Sequence, residues 1–187
     1  MSQSIVRLNA KQIERAELLL RNIPGWANKV MARVLNRSTQ TARASMVSEV
    51  REEYTAKAKA IRNTISIKKA SSSRPEAVVE SVGSPLPLRD FKVNPRTQNG
   101  RRRTPIRVSV KKGNSHSFGS AFVLRTGGSI NVFERVGKRR LPIRKMFGPS
   151  VPQMIGNESV INRIAVRTES TAEKRLDHEI DRLLSGG

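Results

Sequence analysis

The chain has 187 residues, no cysteine and a formal net charge of +21. The missing cysteines exclude disulfides, thiolate zinc sites and cysteine nucleophiles, and they fit a reducing compartment. One Trp, one Tyr and five Phe argue against single strands stacked on aromatic platforms, whereas duplex nucleic acid held by its phosphates needs no aromatics.

The charge is uneven along the chain. Arg101–Lys145 carries thirteen Lys/Arg against one acid, Glu134, whereas the tail from Asn157 onward is −1. Such a field repels itself unless something anionic lies nearby, either a polyanion or an acidic protein surface. The N-terminus has no apolar run of signal-peptide type. No run approaches the roughly 18 apolar residues that span a bilayer, so no membrane partner is expected.

Asn9 is a plausible N-cap for a short helix to about Arg21, which Pro24-Gly25 ends. A longer helix is predicted from about Trp26 to Tyr54. Ala27, Val30, Met31, Val34, Leu35, Ala42, Met46 and Val50 recur at spacings of three and four. Ser38, Thr41 and Ser45 keep the middle of that stripe small. It suits close packing on another helix or a neighbouring subunit, or an ordinary fit onto the chain's own sheet. A further helical turn is expected through Ala60-Ile61.

From Ile65 the period shortens to two. Ile65/Ile67, Val78-Val79-Val82 and Ile106/Val108/Val110 read as strands with one buried face. Asn94–Arg103 reads as a long exposed loop. Phe118–Arg125 and Ser129–Arg135 around Gly127-Gly128 read as a hairpin. Gly137–Lys145 is basic and turn-like, and Met146–Met154, with Pro149 and Pro152, is expected to be irregular. A last helix spans about Asn157–Leu184, lined by Val160, Ile161, Ile164, Ala165, Ala172, Leu176, Ile180 and Leu183. Helices, strands, then a helix predict an α+β class. The segments are a helical 1–63, a β-rich 64–156 and a helical 157–187, within one domain overall.

Catalytic chemistry finds no constellation. His116 sits in a loop and His178 lies between Asp177 and Glu179, where neighbouring helix positions splay apart. Both read as solvated, and no third ligand stands at metal spacing. Glu49 and Glu53 share a helix face at i, i+4 but read as a solvated face, or as acceptors for a neighbour's basic loop. Gly137-Lys138 lacks the hydroxyl that ends a phosphate-cradling loop, since Arg139 follows. No catalytic residue, cofactor or metal is expected.

The basic loops are the candidates. Arg101, Arg102 and Arg103 touch DNA phosphates, bind an acidic neighbour or stay solvated, and the sequence leaves all three open. Lys111 and Lys112 belong to the same candidate set. Lys138, Arg139 and Arg140, with Arg144 and Lys145, follow the hairpin and so have a firmer base, and a protein interface suits them as well as DNA. No recognition-helix pattern suggests base readout. Phe147, Pro149, Pro152 and Met154 form an apolar stretch that either docks into a subunit or tail partner or folds back over its own sheet.

Ala121-Phe-Val-Leu-Arg, a glycine turn, then Val132–Met154 with its Gly-Lys-Arg-Arg-Leu-Pro-Ile and Pro-Ser-Val-Pro segments resembles the core of the phage minor tail protein Z family. The Pro-Gly break, the Ala- and Ser-rich helix and the Arg101–Arg103 loop are similar upstream. The resemblance implies a structural protein completing the head-proximal end of a long tail, at the neck, assembled in the host cytoplasm and carried in the virion. It implies a ring of copies, six being the expected number. Its implied partners are the tail terminator or tail tube, head-closure or connector proteins, and phage duplex DNA passing nearby. Composition alone fits a second class, a free nucleic-acid-binding protein of ribosomal or nucleoid type.

Overall fold

The computed structural model describes residues 25–96 and 105–185, together with Glu14 and Leu18. The architecture is mixed α+β. In chain order the elements are α1 (Trp26–Glu53), α2 (Ala58–Arg62), β1 (Ile65–Lys68), β2 (Val78–Ser81), a 3-10 turn (Leu88–Asp90), β3 (Lys92–Asn94), β4 (Ile106–Ser109), β5 (His116–Phe118), β6 (Ala121–Thr126), β7 (Ser129–Arg135), β8 (Ile143–Lys145), α3 (Val151–Ile155) and α4 (Glu158–Leu184). Of the helix read over Asn9–Arg21, Glu14 and Leu18 are helical and the rest lies outside the described residues. No helix among the described residues is long and apolar enough to cross a membrane.

The chain forms two compact units, and they cut across the three consecutive segments read from the sequence. The first comprises Met1–Glu49, Ile65–Ser81 and Asn157–Gly187, and the second Val50–Thr64 and Val82–Gly156. Composition along a chain tracks local structure, whereas compactness depends on where the chain returns.

In the first unit α1 packs on α4. Val30 and Val34 meet Ala172, Leu176 and Ile180, with Trp26 and Leu183 against them. Burying each such aliphatic side chain contributes about 1.5–3 kcal/mol. Ser38 and Thr168, both fully buried, donate to the carbonyls of Val34 and Ile164 four residues back, at 2.8 and 2.7 Å. These bonds satisfy the hydroxyls within their own helices, so the helix stripe stays small where the sequence predicted. The chain's own helix, rather than a sheet alone, covers it. Ala32 and Leu35 meet Ala70 and Ala77 on another side. There Asn36 donates to the carbonyl of Ala70 and accepts from its N–H, both at 2.9 Å. β1 and β2 pair antiparallel, with Ile67 opposite Val79. Asn157 caps α4 by accepting from the Ser159 N–H at 3.1 Å.

The second unit holds two three-stranded antiparallel sheets, β3-β4-β5 and β6-β7-β8. The predicted hairpin is present as β6 and β7, closed by Thr126 opposite Ser129. Gly127 and Gly128 both have positive φ, 55° and 74°, as the tightest two-residue hairpin turn requires. β3, β5 and β8 are three residues each, too short for alternation to reveal them.

Two local expectations are corrected here. Gly137–Lys145 is not turn throughout, because β8 pairs with β7, placing Arg144 opposite Glu134. Met146–Met154 is not wholly irregular, because α3 starts within it. Ser150 and Gln153 close a reciprocal capping box, with the Ser150 N–H donating to Gln153 Oε1 at 2.9 Å. Pro152 lies in the first turn of α3, where a missing N–H costs nothing.

Candidate anion-facing surfaces

The bend after β7 carries a run of three cations. Lys138, Arg139 and Arg140 are all exposed, and no ion pair engages them among the described residues. Their base is firm. Phe122 and Phe133 stack beneath the hairpin with ring centroids 6.3 Å apart, and Arg135 lies 5.2 Å over the Phe122 ring. The Val136 N–H donates to the Pro142 carbonyl at 3.1 Å, closing the bend. Arg144 is different, since it pairs with Glu134 across the strands. Lys145 sits 5.4 Å over the Phe147 ring.

Lys111 and Lys112 are held by the chain itself. Lys111 bonds Glu53 at 3.0 Å and lies 5.4 Å over the Tyr54 ring. Lys112 stands 3.8 Å from Glu52, and its N–H donates to the Glu53 carbonyl at 2.9 Å. The basic turn thus closes the last carbonyls of α1, where cations are favoured by the helix dipole. The hydrogen bond with Glu53, reinforced by the charge of Tyr54, holds the Lys111 amine above its ordinary value. Glu53 and Glu52 therefore face their own basic turn. Arg101, Arg102 and Arg103 lie outside the described residues.

The apolar stretch is folded back. Phe147 bridges to Pro87, the Gly148 N–H donates to the Leu86 carbonyl at 2.8 Å, and Leu88 donates to Met146 at 3.1 Å. Met154 is fully buried and offers no docking surface, which corrects its reading as an interface residue. Pro149 and Pro152 are half-buried. Phe147 alone of the four is 52% exposed.

In the first unit the sequence reading missed two carboxylates. Glu49 is buried, accepts a hydrogen bond from Arg163 at 2.6 Å and forms an ion pair with Arg167 at 2.8 Å, which corrects its reading as a solvated face. Glu179, fully buried, meets Arg33, Arg175 and Arg182 at 3.0, 2.5 and 3.1 Å. A signal was present, since Glu49 lies seven residues beyond Ala42 and Glu179 seven beyond Ala172, both on the apolar stripes. An acid on a buried stripe needs cations; at Glu179 two arginines stand one turn away, whereas those of Glu49 come from α4. These contacts run α1 antiparallel to α4 and consume five arginines internally.

His116 and His178 are exposed as expected. Among the described residues no three His, Asp or Glu gather as a metal site. Arg89, Arg96 and Arg125, which sequence reasoning did not single out, gather instead around a cavity in the second unit.

The fold and these surfaces define a cationic α+β protein that neutralises part of its charge internally and leaves the rest on bends and rims. The model of the Prophage minor tail protein Z (GPZ) family matches residues 11–185, and the chain belongs to that family. It is a phage tail structural protein, a component of the virion tail that contacts other tail components. No curated protein and no solved structure matches the chain.

Proposed function

We propose that this tail protein completes the head-proximal end of a long tail, as a ring of copies at the neck, and supports head–tail joining. Its work is contact rather than catalysis. The observation that carries the reading is the exposed trio Lys138, Arg139 and Arg140, unpaired among the described residues, on a stacked, strand-anchored base. Within a tail, such a surface meets either the DNA path or an acidic neighbour, and arginine suits both phosphate and carboxylate. Phe147, exposed just beyond β8, adds an apolar contact for a neighbouring subunit.

The test is to image virions that carry an epitope-tagged copy of this chain, with a bound antibody fragment marking it. The label is expected in one collar at the head-proximal end. Label spread along the tube, or gathered at the distal tip, overturns the neck position.

A further inference from the structure

The second unit contains a cavity of about 420 Å³, within the size range of ligand sites. Its floor is apolar. Phe91 and Val93 contribute from one side and the cross-strand pair Val123 and Val132 from the other, all buried. Lys57, Arg89, Arg96 and Arg125 line it as well, against one acid, Asp90. That acid is already bonded to Lys57 at 3.2 Å. Among the described residues Arg89, Arg96 and Arg125 have no ion-pair partner. Asn131, 4% exposed, belongs to the wall, and its Oδ1 is itself buried and accepts no hydrogen bond.

We propose that this cavity receives an extended acidic segment of a partner tail protein, with carboxylates on the arginines and an apolar side chain on the floor. The complementarity is twofold, and other occupants meet only part of it. A phosphodiester sets charge against an apolar floor. An inorganic anion leaves that floor uncovered. The chain's own described acids do not fit. Those outside the cavity lie in helices rather than in an extended segment, or are paired already: Glu76 with Arg74, Glu80 with Lys68 and Glu134 with Arg144. The inference goes beyond the neck reading and needs only membership of a tail.

The full-length protein is tested against an array of dodecapeptides tiled across the other tail proteins of its virion, and against a 20-base-pair DNA duplex. Bound peptides are expected to combine two or more acids with an apolar residue. Affinity for the best of them should fall at least tenfold in R89E/R125E. It should hold in K59E/K69E, which matches the charge change away from the cavity. The proposal is overturned by an array with no acid-enriched binders or by peptide affinity untouched in R89E/R125E. Duplex binding that disappears with R89E/R125E overturns it too, because it marks the cavity as a phosphate surface. A virion with this protein away from the neck leaves these outcomes unchanged.

Discussion

Glu179 is fully buried, yet the side chains of Arg33, Arg175 and Arg182 keep 45, 33 and 37% of their surface in water. A wholly buried pair loses about 3–5 kcal/mol when one partner is removed. Here the arginines can rehydrate, so Glu179→Ala is expected to cost about 1–3 kcal/mol, after discounting for solvent screening. Glu52→Ala, at an exposed pair, should cost under about 0.5 kcal/mol. Urea midpoints compare the two, and equal losses would show that burial does not decide the matter. At Gly148 the constraint is space. An added Cβ would lie 2.7 Å from Cε2 of the Phe91 ring, so Gly148→Ala must displace a fully buried aromatic. Overpacking of that kind costs about 1–3 kcal/mol, readable as a lowered melting temperature.

Lys111 sets a pH dependence. Its folded value lies above the ordinary lysine value of 10.5. The folded state therefore binds the proton more tightly than the unfolded chain, and the stabilisation is fully present below that ordinary value. It is lost as pH rises through the raised folded value. The stability difference between the parent and Lys111→Met should be constant from about pH 6 to about pH 10 and shrink above it. A difference that grows with alkalinity would contradict the Glu53 contact.

At the scale of elements, short pieces depend on their ends. α3 has five residues, too few to persist on propensity, so its capping box and buried Val151, Met154 and Ile155 hold it. Ser150→Ala is expected to cost about 1 kcal/mol, with faster amide exchange over 151–155. Unchanged exchange there would shift the credit to packing alone. The hairpin turn is the opposite case, since two glycines at positive φ satisfy it locally. It was therefore legible without tertiary information, whereas β8 depends on β7 alongside and was not.

For the whole molecule the question is where a charge of +21 goes. Some is met by buried or cross-strand acids, and Lys138, Arg139 and Arg140 remain open. If that trio meets duplex phosphates, K138E/R139E/R140E should lower the slope of log K against log salt by up to about 0.9 for each phosphate that is no longer neutralised. An unchanged slope would direct the trio towards an acidic protein surface instead.

The sequence by itself determined the α+β class, the two long helices, the hairpin with its glycine turn, the excess of positive charge and the tail-protein resemblance. Each is written locally, in a period of three to four, a period of two, a turn dipeptide or a count of side chains. Only the tertiary structure decided which cations are free. Whether Lys111 faces solvent or Glu53, whether Glu179 is a surface acid or the hub of three arginines, and whether Met154 docks outward or is buried depend on residues far along the chain. The cavity around Asn131 belongs with them, because its floor and rim converge from segments that no sequence spacing relates. Charge is a property of residues, but its neutralisation is a property of neighbours, and neighbours are chosen by folding.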